Sequence, residues 1–131
     1  MTTRPRSRRN ESGASALELA MYMPLLMLVI FIAVQFSLIY LGNAAASAVA
    51  REAARVARVT GDTQAGEAAG YQYAGNIGRG ILENVDVNVV PVGGDRVRAV
   101  VSGRAQELAP VVVPRVSQTV EGPIEEFQVD Q

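Results

Sequence analysis

The chain has 131 residues, of which 12 are basic and 13 acidic, and it contains neither cysteine nor histidine. Without cysteine there is no disulfide framework, thiolate metal site or cysteine nucleophile. Without histidine, the usual general base and the commonest metal ligand are missing, and no pattern places another base beside a serine. We therefore expect a protein that is not an enzyme, needs no cofactor or metal and takes no small-molecule substrate.

Residues 1–13 form a basic leader. They hold four arginines and one glutamate, a net charge of +3, whereas residues 14–131 hold eight arginines and twelve acidic residues, a net charge of −4. Positive charge next to a membrane helix favours the cytoplasmic side. The charge gradient therefore predicts a cytoplasmic N-terminus, with residues 43–131 outside the cell membrane. Three arginines shortly after the apolar segment reduce this bias without reversing it.

A long uncharged segment follows the leader, from Leu19 to Gly42. A helix of that length measures about 36 Å, enough for the ~30 Å hydrocarbon core of a bilayer. We therefore predict a single transmembrane helix over residues 14–42. A secretory signal peptide also combines basic residues with an apolar stretch, but its apolar region usually has only 7–15 residues. Cleavage among the small residues 44–48 is accordingly the weaker interpretation.

Two residues interrupt the apolar character of this segment. Pro24 removes one helical hydrogen bond, so we expect a kink or a local opening of the helix near Ala20. Gln35 carries an amide group that lipid cannot satisfy. It predicts a contact with another helix in the membrane or, with equal weight, a side chain that reaches water.

The helix is expected to continue beyond the membrane, because residues 43–60 are rich in good helix formers and end before Gly61. Asp62 or Thr63 is a suitable cap for a second helix that ends near Asn76. Arg51, Arg55 and Arg58 recur at helical spacing on one face of the first helix, interleaved with Glu52 and without aromatic partners. We interpret it as a solvated face and expect no nucleic acid partner.

The clearest strand signal is the alternation of valine with polar residues over residues 85–92 and 96–103. Pairing Val92 with Arg96 around a three-residue loop keeps the valines of both strands on one face, whereas a two-residue turn would expose half of them. A third strand is expected near residues 116–121. The predicted fold class is α+β: a long N-terminal transmembrane helix continues as an extracellular helix and packs on a small antiparallel sheet.

The order of these features resembles a known kind of precursor. A basic leader, a glycine at position 13, a glutamate five residues later and an apolar helix are similar to type IV pilin-like precursors. More narrowly, the chain resembles TadE-like proteins of tight-adherence (Flp-type) pilus systems. The resemblance covers residues 8–60 and 121–127 in patches. Its segments are residues 13–28 (GASALELAMYMPLLML), 50–55 (AREAAR) and 121–125 (EGPIE).

The resemblance implies that a prepilin peptidase cleaves after Gly13 and leaves Ala14 as the new N-terminus. It also implies that Glu18 is an assembly residue, whose carboxylate pairs with the new α-amine of a neighbouring subunit. The implied partners are the membrane, the peptidase, other pseudopilins and the Tad-type platform and ATPase machinery. Because the substantial domain of residues 43–131 follows the helix, a minor pseudopilin or assembly factor fits better than the very short major pilin.

Two other functions stay open. The first is an uncleaved single-pass anchor, in which residues 1–12 are a cytoplasmic tail, Glu18 is hydrated among the headgroups, and the extracellular domain binds a partner. The second is an enzyme on a membrane stem, for which no residue pattern argues. The mature N-terminus distinguishes the processed pseudopilin from the uncleaved anchor.

Overall fold

The computed structural model describes residues 9–77, 80–108 and 115–125, with side chains described from Gly13 onward. It contains two helices and one three-stranded antiparallel sheet with the strand order β1-β2-β3. This architecture confirms the predicted α+β class. The elements are α1 (Arg9–Thr60), α2 (Thr63–Ile77), β1 (Leu82–Val92), β2 (Arg96–Ala105) and β3 (Arg115–Pro123). Most of the predicted leader, residues 1–8, lies outside the described residues.

The chain divides into two compact units, residues 1–34 and 35–131. In the first unit every described side chain from position 13 onward is exposed. Among the described helices, α1 is the one long and apolar enough to cross a membrane. It is helical on both sides of Pro24, and the expected kink there stays a prediction.

The core of the second unit lies between α1 and the sheet. The buried face of α1 consists almost entirely of alanines and one valine, and such short side chains let a helix approach its neighbours closely. α2 packs directly on the backbone of α1, because a Cβ added at Gly66 would lie 2.7 Å from the carbonyl oxygen of Ala53. The completely buried residues of α1 are Ala46, Val49, Ala50, Ala53 and Ala57.

The hairpin of β1 and β2 has the predicted register. Val92 pairs with Arg96, and the buried valines pair as Val87 with Val101, Val89 with Ala99 and Val97 with Pro91. Gly93 and Gly94 both have positive φ angles, 66° and 89°, which glycine adopts without steric cost. The three-residue loop therefore keeps every core valine on the helix-facing side, as the alternation requires.

The elements extend somewhat further than the sequence pattern predicts. β1 begins at Leu82, ahead of an irregularity between Glu83 and Asp86 that the valine alternation cannot reveal. β3 reaches from Arg115 to Pro123 and pairs with β2 along its whole length. The cap of α2 is as expected, because Oδ1 of Asp62 accepts a hydrogen bond from the backbone nitrogen of Gln64 at 2.9 Å.

Candidate functional site

The predicted processing residues lie near the start of α1. Gly13 and Ala14 are both exposed, and a Cβ added to Gly13 would meet no heavy atom within 4 Å. The fold therefore does not require glycine at this position. The described residues leave room for a larger side chain at this position.

Glu18 lies one helical turn after Ala14 on the same helix. Its neighbours Leu17 and Leu19 are 67% and 62% exposed. Among the residues that the structure describes, no side chain forms an ion pair or hydrogen bond with the Glu18 carboxylate. A carboxylate within an apolar helix is costly in a membrane unless a cation or donor accompanies it. The chain presents this carboxylate without supplying a described partner.

The apolar surface of α1 continues through the residues after Glu18. It includes a shallow depression beside Pro24 with almost no polar lining. The depression is lined by Leu19, Tyr22, Met23, Leu25, Leu26 and Val29. Such a continuous apolar surface is compatible with lipid or with another apolar helix.

Gln35 is the first residue of the second unit, and its amide group is used within that unit. The side-chain nitrogen donates to the carbonyl oxygen of Gln106, and the side-chain oxygen accepts from the backbone nitrogen of Leu108, both at 3.4 Å. The structure thus places Gln35 against the segment that follows β2. The predicted contact with a second membrane helix stays a prediction.

The end of α1 is joined to the end of β3 by a residue that the sequence analysis assigned to a solvated face. The Arg58 side chain donates from Nε to the carbonyl oxygen of Pro123 at 2.7 Å and pairs with the Glu125 carboxylate at 3.1 Å. The backbone nitrogen of Glu125 returns a hydrogen bond to the carbonyl oxygen of Arg58 at 3.2 Å. In the sequence, residues 122–125 stand out only by their family resemblance, and this contact gives Pro123 and Glu125 a structural role.

An ion pair lies on the exposed face of α1. Arg55 donates two hydrogen bonds to the carboxylate of Glu52, at 2.9 and 2.7 Å. These hydrogen bonds lower the pKa of Glu52 and raise that of Arg55. Because both groups are charged near neutral pH, the pair supports the helix between them.

Two side chains of α2 bind the outer edge of β1, an arrangement that the sequence analysis missed. The carboxylate of Glu67 accepts a hydrogen bond from the backbone nitrogen of Val89 at 3.0 Å. The hydroxyl oxygen of Tyr71 accepts one from the backbone nitrogen of Val87 at 3.2 Å. Side chains four residues apart on the helix thus reach backbone N–H groups two residues apart on the strand. The only sequence signal was a polar pair one turn apart on the helix before the hairpin.

Two features bear on chemistry. Within residues 9–77, 80–108 and 115–125, no group of three or more acidic, histidine or cysteine side chains could hold a metal ion. An open cleft of about 440 Å³ lies between α2 and β1 and includes Tyr71 and Asn84 in its lining. The Tyr71 hydroxyl is already used, since it also donates to the Asp86 carboxylate at 3.4 Å.

A family model described as TadE-like protein matches residues 13–55. This match confirms the resemblance predicted from the sequence. It begins at the predicted processing glycine and ends at the arginine of the Glu52–Arg55 pair, so it includes every site residue predicted from the sequence. No curated protein and no solved structure matches the chain. The TadE-like segment and its long apolar helix fit a membrane-anchored component of a Tad pilus.

Proposed function

We propose that this protein is a minor pseudopilin or assembly factor of a Tad-type pilus, processed after Gly13 by a prepilin peptidase. The observation that carries the proposal is the order of features in the TadE-like segment: an exposed glycine, a glutamate five residues later and an exposed apolar helix. The basic leader favours a cytoplasmic N-terminus and an extracellular position for the domain.

Processing is supported by the surroundings of Gly13. The residue lies between the arginine-rich leader and the apolar helix, where a membrane peptidase that faces the cytoplasm can reach the chain. Since a Cβ at this position has no described neighbour within 4 Å, the fold leaves the glycine accessible. Cleavage would create a free amine at Ala14, one helical turn before Glu18.

The proposed role of Glu18 follows from electrostatics. Its carboxylate is exposed among leucines and has no described partner in its own chain. A charge in this position is stabilised by an opposite charge from outside, and the new α-amine of a neighbouring subunit supplies one. Glu18 would thus fix the position of one subunit against the next.

Mass spectrometry of the mature N-terminus tests the proposal. We expect the wild-type protein to begin at Ala14, and Gly13→Leu to keep residues 1–13. Gly75→Leu is a matched control, because a Cβ added at Gly75 also meets no described atom within 4 Å. It should leave processing unchanged. Wild-type protein that retains its leader in cells containing the peptidase would contradict processing and support the uncleaved single-pass anchor.

A further inference from the structure

The last part of the uncharged segment belongs to the folded domain. Between Gln35 and Gly42, one face of α1 is partly or fully buried, and Ile39 packs against the core. At Gly42 the contact is so close that an added Cβ would lie 2.8 Å from the Cβ of Ala105. Residues of β2 therefore occupy one side of α1 at a level where the sequence pattern alone predicted lipid on all sides.

The segment after β2 brings polar groups to the level of Gln35. Its backbone is irregular and is bound by the Gln35 amide at residues 106 and 108. Between these contacts lies Glu107, which is exposed, and Arg104 nearby is exposed as well. Exposed charges and irregular backbone are not tolerated facing the hydrocarbon core. The hydrocarbon must therefore end before this level.

We propose that the outer edge of the hydrocarbon core lies at Gln35, and that the domain contacts the lipid headgroup layer through a surface we call the rim. The rim consists of Phe36, Tyr40, Leu41 and Leu108, which are 69%, 77%, 45% and 50% exposed. This inference rests on the proposed membrane anchoring and adds the place where the anchor ends and the surface that meets the lipid.

Lipid headgroups are the partner that best fits the rim. The rim follows the uncharged residues of α1 in the sequence, and it combines apolar side chains with the phenol of Tyr40. Tyrosine is enriched where membranes meet water, because its ring is apolar and its hydroxyl is polar. The exposed Arg104 and Glu107 beside the rim are suited to the same hydrated layer.

The length of the helix agrees with this boundary. Residues 14–42 would form a helix of about 43 Å, well above the ~30 Å hydrocarbon core, whereas residues 15–34 would measure about 30 Å. The inner edge then falls near Ser15, and Glu18 lies about one helical turn inside the hydrocarbon. Glu18 would then lie inside the hydrocarbon, where an unpaired carboxylate is costlier than among the headgroups.

Spin-label depth measurements test the boundary, because the chain has no native cysteine and accepts single labelled cysteines. The full chain is reconstituted in phosphatidylethanolamine–phosphatidylglycerol vesicles with one label at position 29, 36, 40, 44 or 108, all of which are exposed. We expect Val29→Cys to lie within the hydrocarbon. Phe36→Cys and Leu108→Cys should lie within about 5 Å of the same depth, near the headgroups. Tyr40→Cys should lie in the headgroup layer, and Ala44→Cys in water.

Three results would overturn the proposal. A label at position 40 as deep as the label at position 29 would move the edge to Gly42. A label at position 108 in bulk water, with position 36 in the hydrocarbon, would separate the two parts of the rim. Spin–spin broadening at position 40 that persists on dilution with lipid would show a second copy on the rim. A water-exposed label at position 29 would overturn the membrane anchor itself.

Discussion

The hydroxyl oxygen of Tyr71 accepts a hydrogen bond from the backbone nitrogen of Val87 at 3.2 Å, across the gap between α2 and the outer edge of β1. With the neighbouring bond from Val89 to Glu67, it occupies two outward-facing N–H groups of an edge strand. Free N–H groups on such a strand are sites where another chain can pair. Side chains of α2 thus take the place of a further paired strand at these two N–H groups and protect the edge from pairing with another chain.

Removal of the Tyr71 hydroxyl should loosen this edge. In Tyr71→Phe the partly buried N–H of Val87 loses its acceptor, and we expect a loss of about 1–2 kcal/mol in the free energy of unfolding. Chemical denaturation of the full chain in detergent micelles measures this loss, and amide exchange should accelerate at Val87. Tyr73→Phe is the control, since the Tyr73 hydroxyl has no partner among the described residues. Equal stability of the two variants would show that the bond contributes nothing.

Glycine at position 42 should be required, in contrast to glycine at position 75. Gly42→Ala places a Cβ 2.8 Å from that of Ala105, so α1 must move away from the sheet. We expect a loss of about 1–3 kcal/mol in the free energy of unfolding. Gly75→Ala meets no atom within 4 Å and should instead stabilise α2 by up to about 1 kcal/mol. Thermal unfolding of both variants in the same detergent checks the opposite signs, and a stabilised Gly42→Ala would mean that the close contact is wrong.

Glu18 should act in assembly and not in folding. Because the residue belongs to the first unit, Glu18→Ala should leave the unfolding of the second unit unchanged and insert into membranes at least as well as wild type. It should lose in-membrane cross-linking between subunits and pilus production. Leu19→Ala, at the exposed neighbouring position, is the control and should keep both. Unchanged cross-linking and full pilus production in Glu18→Ala would leave this carboxylate without an assembly role.

The Glu52–Arg55 pair should give a small dependence of stability on acid. Since the pKa of Glu52 is lowered below its model-peptide value of 4.5, its stabilisation is present above that value and disappears as the pH falls through the lowered pKa. Because both side chains are exposed to solvent, which screens their charges, this contribution is small. Glu52→Gln should therefore be less stable than wild type at neutral pH. The difference in stability between the two proteins should shrink in strong acid, where Glu52 of the wild type is protonated. A difference that grows as the pH falls would contradict this sign.

Much of the fold could be predicted because local signals agree with one another. The valine alternation and the loop length together determine the pairing of Val92 with Arg96, and Asp62 is a cap by its chemistry alone. Contacts between distant segments could not be predicted in this way. The partners of Gln35 and Arg58 are more than 60 residues away in the sequence. Only the packing of α1 on the sheet brings them together.

The site residues show the same division. The proposed roles of Gly13 and Glu18 come from a family resemblance in the order of residues along the chain, and no folding is needed to recognise that order. The rim could not be predicted, because a segment without charges looks the same whether lipid surrounds it or a sheet covers one side. A contact such as that between Gly42 and Ala105 is needed to distinguish the two.

The protected edge of β1 has a consequence for how copies of this protein can associate. Each sheet has two outer strands, and the N–H groups that β1 would offer to a newcomer at Val87 and Val89 are already engaged by α2. Another strand could pair with β1 at these two positions only if α2 first gave up both hydrogen bonds. In the assembly that we propose, contacts between copies would therefore come from helix surfaces and not from pairing along this edge of the sheet.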